Sequence, residues 1–288
     1  MENILTLLFN GISEGALIFL MASSLSVVLG LMGVVNFAHG TLFLWGGYVY
    51  AWIYNLTGKW LLSCLAAITV GFVLGWLFEK LFISRMYGNM SAQIMTTLGL
   101  QIVFTELCRV FWGAQQITVN RPPFLQGVWV LGGVTIVKYR VFLIVVGVLL
   151  VLIGQYILTK TRIGMVIRAG VQNSEMVKAL GINITQYFTV VFAVGAALAG
   201  LGGALFSPLN GTLNTNMGAS NQLLAFIVVV IGGMGSFLGS ALGSIFLGIM
   251  VAIIGWLLPE ISLVAPVLLM ALVLIFKPKG LFGLAVRK

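Results

Sequence analysis

Long apolar runs make up most of the chain, and short polar or glycine-rich breaks separate them. The runs predict nine helices, near residues 5–31, 38–56, 60–80, 93–112, 140–159, 186–207, 221–233, 237–257 and 262–276. A helix needs about 20 residues to cross the hydrocarbon core of a bilayer. Most of the runs reach that length, but 221–233 is short and suggests a half-span. We therefore expect eight to ten membrane spans.

One polar stretch, residues 160–186, interrupts this pattern. It carries four basic residues against one acid, Glu175. Its apolar residues recur every three or four positions: Ile163, Val166, Ile167, Val171, Val177 and Leu180. This spacing predicts an amphipathic helix. Such a helix between two spans would let a transporter bind a motor protein outside the bilayer, and the alternative is a solvated connecting loop.

The composition excludes a soluble domain. Of 288 residues, 60% are hydrophobic and 7% are charged, and the mean hydropathy is +1.14. A membrane-spanning chain must satisfy its own backbone hydrogen bonds, as a helix or a closed barrel. The apolar runs are continuous rather than alternating, which favours helices. We predict a single all-α domain over residues 1–288, a polytopic membrane bundle whose abundant glycines allow close helix packing.

The inventory of reactive side chains is small. The chain has one histidine, no aspartate and two cysteines, Cys64 and Cys108, which lie in apolar runs. This excludes a metal centre of several histidines and argues against an enzyme. The glycine-rich loop that cradles nucleotide phosphates is also missing. Either a partner hydrolyses ATP, or transport is passive.

The basic residues lie at the ends of the apolar runs, as expected for contact with anionic lipids rather than with nucleic acid. One side of the membrane receives Lys80, Arg85, Lys160, Arg162, Arg168, Lys178, Lys277, Lys279, Arg287 and Lys288, and the other receives Lys59, Arg109, Arg121, Lys138 and Arg140. This asymmetry predicts an external N-terminus and a cytoplasmic C-terminus. Residues 160–186 are then cytoplasmic, and residues 113–138 and 208–222 are external.

Three polar residues inside the apolar runs are candidates for the transport path. Asn36 and His39 lie between the first two runs, where a broken helix would expose polar groups to a cavity. The alternative is a structural hydrogen bond that holds the first two spans together. Glu14 lies within the first run and has no neighbouring base, so it either faces a cavity or pairs with another span.

Other residues suggest helix packing. Glu106 and Arg109 are three apart and are expected to pair on one helix face. Gly235, Gly239 and Gly243 recur every four residues and predict a smooth packing face, which is also compatible with a moving gate. The sequences GLMG at 30–33 and GGMG at 232–235 hint at an internal repeat.

Five segments carry a family resemblance: GLMGVVNFAHG at 30–40, TRIGMVIRA at 161–169, MVKALGI at 176–182, VVVIGGMGSFLGSALG at 228–243 and LIFKPKGLFG at 274–283. Together they resemble the membrane permeases of branched-chain amino-acid ABC importers, and in particular the smaller of the two permease subunits. The resemblance covers the whole chain in the right order and implies the ABC importer permease fold.

The resemblance also implies partners. They are a second homologous permease, two cytoplasmic ATPases that hold ATP and Mg, and an external substrate-binding protein, assembled at a bacterial inner membrane. This chain itself would bind no cofactor or metal. Permeases of such importers carry a coupling loop with Glu-Ala-Ala and a glycine six residues after the glutamate. Here Glu175 and Gly181 match that spacing, whereas Met176 and Val177 replace the alanines.

By this resemblance, the residues expected to contact an ATPase are Ile163, Arg168, Glu175, Ala179 and Gly181. The implied substrates are leucine, isoleucine and valine. Urea, short amides or other small organic solutes are the alternative for the same type of permease. A stand-alone channel or secondary carrier would need neither an ATPase nor the helix within 160–186.

Overall fold

The computed structural model describes residues 2–131, 134–172 and 174–282, and most of them are helical. The helices are α1 Glu2–Met32, α2 His39–Thr57, α3 Trp60–Leu81, α4 Met90–Trp112, α5 Lys138–Lys160, α6 Arg162–Gln172, α7 Ser174–Ala179, α8 Ile184–Asn210, α9 Met217–Gly232, α10 Phe237–Leu257 and α11 Ala265–Phe276. The strands are β1 Ile117–Thr118, β2 Val128–Leu131, β3 Val134–Val137 and β4 Thr212–Leu213. Short 3-10 turns cover Ile83–Met86, Pro123–Leu125 and Pro259–Ile261.

An apolar helix lies at each of the nine predicted places, which confirms the polytopic helical membrane bundle. Within the described residues, six helices are long and apolar enough to cross a bilayer on their own: α1, α3, α4, α5, α8 and α10. The helix α9, predicted as a half-span, has 16 residues, which is about 24 Å of helix. The helix α11 has 12 residues, and α2 has 19 residues that include a histidine, an asparagine and several glycines and tyrosines.

The helices form an inner group and an outer group. In the most apolar stretch of each helix, 72% of residues are buried in α1 and 61% in α8, but 17% in α4 and 11% in α5. The helices α4 and α5 therefore present apolar side chains outward, as lipid contact requires. The helix α2 is enclosed by α3, α4, α8 and α9.

Glycine allows the inner helices to touch backbone to backbone. A Cβ atom built on Gly46 of α2 would lie 2.2 Å from the Gly200 carbonyl oxygen of α8, and one on Gly203 would lie 1.9 Å from the Phe43 carbonyl oxygen. A Cβ on Gly71 of α3 would meet the carbonyl oxygen of Ala196 at 2.6 Å. The helix α8 is thus packed tightly against both α2 and α3.

The bundle has two distinct ends. At the strand end, β1 pairs with β4 and β2 pairs with β3, both antiparallel, and Arg140 at the start of α5 donates to the Asn10 carbonyl oxygen of α1. These short strands are additional to the predicted all-α architecture. The α8 helix also continues through Pro208 to Asn210, beyond its predicted end.

The opposite end is formed by the α6–α7 segment, residues 162–172 and 174–179. Both described parts of this segment are helical, at the place where the sequence predicts an amphipathic helix within 160–186. The helix α7 ends at Ala179, and Gly181 follows with a φ of +79°, in the left-handed region that favours glycine. The Gly181 amide donates to the Lys178 carbonyl oxygen, and Ile182 donates to Val177. This turn directs the chain into α8.

The two similar sequences at 30–33 and 232–235 meet at the α6–α7 end. A Cβ atom on Gly30 would lie 2.3 Å from the Gly235 Cα atom. Nearby, the Ser26 hydroxyl donates to the Ser236 carbonyl oxygen over 3.4 Å. The C-terminal part of α1 and the turn between α9 and α10 are therefore in direct backbone contact.

The contact between α2 and α8 predicts a strong effect of one added methyl group. We expect Gly203→Ala to lower the free energy of unfolding by about 1–3 kcal/mol or more, because the methyl group would overlap a backbone oxygen. The matched control is Gly99→Ala on α4, where a Cβ atom meets nothing within 4 Å. Thermal unfolding in detergent tests both variants, and equal melting temperatures would contradict the expectation.

Candidate functional site

His39 joins the first two helices at the turn between them. Its Nε2 atom lies 2.7 Å from the Ser24 hydroxyl oxygen of α1, and that hydroxyl also donates to the Met21 carbonyl oxygen at 3.0 Å. Both side chains are buried. The arrangement fits the structural alternative for His39, in which a hydrogen bond holds the first two spans together.

Asn36 lies in the same turn and is also buried. Its backbone carbonyl oxygen accepts a hydrogen bond from the side-chain amide of Gln222 on α9, at 3.1 Å. Both polar atoms of the Asn36 side chain, and Oε1 of Gln222, have no hydrogen-bond partner among the described residues. A buried amide group without a partner costs about 1–3 kcal/mol. These atoms are therefore available to bond a water molecule or a polar solute.

The sequence analysis did not select Gln222, which falls in the segment expected to be external. The structure places it inside the bundle, in the second turn of α9. The feature of the sequence that could have identified Gln222 is its position at the start of a run of apolar residues. A buried amide in such a run needs a polar neighbour. The neighbour, Asn36, is distant in sequence and only the fold brings the two together.

Glu14 lies apart from these residues, which corrects its grouping with Asn36 and His39. Its carboxylate pairs with Arg140 of α5 at 3.5 Å, and its side chain is 41% exposed. Ser24, the partner of His39, follows Glu14 by ten residues on α1, or about 15 Å of helix. Of the two expectations for Glu14, the structure shows pairing with another span.

The expected pair of Glu106 and Arg109 is confirmed, with 2.6 Å between oxygen and nitrogen. The Arg109 Nε atom also donates to the Thr215 hydroxyl at 3.0 Å. Thr215 belongs to the connection between β4 and α9. The ion pair therefore anchors that connection to the end of α4.

The α6–α7 segment has one buried face and one exposed face. Ile167 and Val177 pack with Ile184 and Phe188 of α8 in a buried cluster. This cluster also contacts Val27 of α1. The segment is thus held against two of the inner helices.

The exposed face carries apolar side chains that the other described residues leave uncovered. Met165 is 63% exposed and Leu180 is 74% exposed. Ile163, which was expected to contact an ATPase, is 50% exposed, but it lies one turn before the buried Ile167 and so on the buried side of α6. Of the other residues expected to contact an ATPase, Glu175, Ala179 and Gly181 are also exposed. The Arg168 guanidinium donates to the Leu158 carbonyl oxygen of α5, so it fixes α6 against the end of that helix.

The three glycines predicted to pack do lie against backbone of neighbouring elements. A Cβ atom on Gly239 would be 2.2 Å from the Gly232 carbonyl oxygen, and one on Gly243 would be 3.1 Å from that of Val228. Gly235 has a φ of +82° and faces Gly30. These contacts hold α10 against α9 and α1.

Glu79 is a further residue that the sequence analysis did not select. It lies in the last turn of α3, is 1% exposed, and accepts hydrogen bonds from the hydroxyls of Tyr87 and Thr189. Its position next to Lys80 at the end of an apolar run suggested an ordinary polar boundary.

Within the described residues, no group of three or more His, Cys, Asp or Glu side chains could hold a metal ion.

Comparison with known proteins gives consistent matches. Residues 7–276 match the family model described as "Branched-chain amino acid transport system / permease component". The high-affinity branched-chain amino acid transport system permease protein LivH of Escherichia coli is 28% identical over 292 residues, which cover 96% of this chain and 94% of LivH. BraD of Pseudomonas aeruginosa, described as a permease protein of the same kind of system, is 28% identical over 296 residues, which cover 96% of this chain and 94% of BraD. LivM of Salmonella typhimurium, another such permease protein, is 25% identical over 284 residues, which cover 89% of this chain and 65% of LivM.

The contact between His39 and Ser24 predicts a difference between two adjacent serines. Ser23 and Ser24 are equally buried, and each donates to the carbonyl oxygen three residues earlier. Only Ser24 also contacts His39. We expect Ser24→Ala to lower the free energy of unfolding by about 1–3 kcal/mol, because it removes the hydroxyl partner of a buried imidazole nitrogen. Ser23→Ala should have a smaller effect in the same thermal unfolding assay, and the reverse order would contradict the role given to His39.

Proposed function

Because this chain belongs to the family of branched-chain amino acid transport system permease components, we propose that it is the membrane permease of an ATP-driven importer for leucine, isoleucine and valine. The resemblance found in the sequence is confirmed, and the chain is a multi-pass membrane protein. The observation that carries the proposal is the family match over residues 7–276. LivH and BraD, which are similar over nearly their whole lengths, bear that substrate class in their names.

The exposed apolar face of the α6–α7 segment is the proposed contact with a cytoplasmic ATPase. Amphipathic helices bind partner proteins by laying their apolar residues into a groove. Met165 and Leu180 supply such residues, and Glu175, Ala179 and Gly181 also lie on the surface of this segment. The buried face of the same segment packs against α1 and α8. A movement of the ATPase would therefore be passed directly to the inner helices.

The other proposed partners follow from the family. ATP and Mg would bind to two ATPase subunits, and hydrolysis would occur there, since this chain has no phosphate-binding loop of its own. Similarity to LivM as well as to LivH supports pairing with a second, homologous permease. An external substrate-binding protein would deliver the amino acid at the strand end.

The proposed path passes the turn between α1 and α2. Asn36 and Gln222 supply polar atoms there that have no partner among the described residues. His39 keeps α2 in place beside them through Ser24. In the structure these groups are enclosed, so opening of the bundle would precede contact with a solute.

The orientation is proposed from the basic residues. The α6–α7 end carries Lys80, Arg85, Lys160, Arg162, Arg168, Lys178, Lys277 and Lys279, and the strand end carries Lys59, Arg109, Arg121, Lys138 and Arg140. Cytoplasmic loops of membrane proteins are enriched in lysine and arginine. The α6–α7 end would face the cytoplasm of a bacterial cell, with the N-terminus outside.

Transport in proteoliposomes tests this function. The chain would be purified with the products of its neighbouring genes, and uptake of labelled leucine would be followed with and without internal or external ATP. We expect uptake that requires ATP and that unlabelled isoleucine and valine, but not urea, compete with. Uptake by this chain without an ATPase would contradict the importer and favour a channel or carrier.

Polar substitution on the exposed face should break the contact with the ATPase. We expect Met165→Ser and Leu180→Ser to lower co-purification of the ATPase and ATP-dependent uptake about tenfold, since loss of a buried apolar anchor at an interface costs about 1 kcal/mol or more. The matched control is Leu263→Ser, at a leucine that is 90% exposed at the strand end. Equal uptake by all three variants would contradict the docking surface.

Labelling of introduced cysteines tests the orientation. Lys59 at the strand end and Lys178 on α7 are both exposed, and the native cysteines Cys64 and Cys108 are buried. A membrane-impermeant maleimide should label Lys59→Cys in intact cells, and Lys178→Cys only after the membrane is opened. The opposite pattern would reverse the proposed topology.

A further inference from the structure

Glu79 is a buried carboxyl group to which the proposed transport function assigns no role. Its Oε1 atom accepts a hydrogen bond from the Tyr87 hydroxyl at 2.5 Å, and its Oε2 atom accepts one from the Thr189 hydroxyl at 2.6 Å. The ion pairs formed by the described residues do not include it. The neighbouring Lys80 instead places its ammonium 4.6 Å from the centroid of the Trp76 ring. A buried acid is costly unless its oxygens are bonded, so the two hydroxyls are the groups that stabilise it.

These three side chains come from three different parts of the fold. Glu79 is on α3, Thr189 is on α8, and Tyr87 lies in the connection between the candidate spans 60–86 and 90–112. We call this set the Glu79 joint. Burial and the hydrogen bond to Glu79 raise the pKa of the Tyr87 hydroxyl well above its usual range. Tyr87 therefore remains a protonated donor under physiological conditions.

The Glu79 joint also contacts the buried face of the α6–α7 segment. The Tyr87 ring packs edge-on against Phe188, with 5.7 Å between centroids. Tyr87 also packs against the buried cluster that contains Ile167 of α6 and Val177 of α7. Thr189 directly follows Phe188 on α8. The same tyrosine thus touches the α6–α7 cluster with its ring and α3 with its hydroxyl.

We propose that the Glu79 joint is the positioning element that transmits displacement of the α6–α7 segment to α3 and α8. The role rests on the proposed function, in which an ATPase moves that segment. Apolar contacts alone would allow the cluster to slide, because they are non-directional. Hydrogen bonds to a carboxylate are short and directional, and they are strengthened where water is excluded. The joint therefore fixes the register between the moving segment and the bundle.

Removal of single hydroxyl groups tests the joint with little change in shape. Tyr87→Phe and Thr189→Val each delete one hydrogen bond to Glu79, and Thr189→Ser retains the hydroxyl. The complete importer in proteoliposomes is used, and leucine uptake and ATP hydrolysis are measured in the same sample. We expect both deletions to lower the amount of leucine taken up per ATP by about threefold or more, while hydrolysis continues. Thr189→Ser should take up as much leucine per ATP as the wild type.

The chain offers controls that make the same chemical changes elsewhere. Tyr156→Phe alters an exposed tyrosine of α5, and Thr69→Val alters an exposed threonine of α3 whose hydroxyl donates to the Leu65 carbonyl oxygen of the same helix. Both control variants should take up as much leucine per ATP as the wild type does. Melting temperatures of all variants identify any loss of coupling that comes from unfolding.

Two results would overturn the joint alone. One is a wild-type ratio in both Tyr87→Phe and Thr189→Val. The other is a loss of uptake and hydrolysis in equal proportion, with a lower melting temperature, which would make the contacts merely structural. A wild-type complex that shows no ATP-dependent uptake would instead overturn the proposed function, and the role of the joint with it.

Discussion

Backbone contact along α8 is the constraint on which the rest of the structure depends. Gly200 and Gly203 place the α8 backbone directly against α2, and Gly71 brings α3 to the same helix. Lipid chains are as apolar as the helix surfaces, so association in a bilayer depends on close packing rather than on exclusion of water. Once α2 and α3 are held on α8, the outer helices α4 and α5 can present ordinary apolar faces to lipid.

This close packing explains where the polar side chains lie. Inside the bundle a polar group must find a protein partner, because water is scarce at that depth. His39 finds Ser24, and Glu79 finds two hydroxyls. The contact of His39 with Ser24 joins α2 to α1, and that of Glu79 with Thr189 joins α3 to α8, so the polar groups also fix the position of one helix on another. Asn36 differs, because both polar atoms of its buried side chain have no hydrogen-bond partner among the described residues.

The α6–α7 segment connects this core to the surface of the molecule. Its buried face reaches α1, α8 and Tyr87, and its exposed face carries Met165 and Leu180. A segment with these two faces is suited to pass a movement from a soluble partner into the helices. Both faces are needed for the proposed contact with an ATPase.

The nine helical places and the amphipathic character of residues 160–186 could be predicted from the sequence, because both depend on local apolar periodicity. The ion pair of Glu106 and Arg109 was also predictable, since residues three apart share a helix face. Tertiary structure alone decided that Glu14 pairs with Arg140, that Gln222 is buried beside Asn36, and that Glu79 has two hydroxyl partners. These contacts join residues far apart in sequence. Their formation depends on the depth and the rotation of each helix in the bundle. The glycine contacts between helices set both, and the pattern of apolar residues along the sequence contains neither.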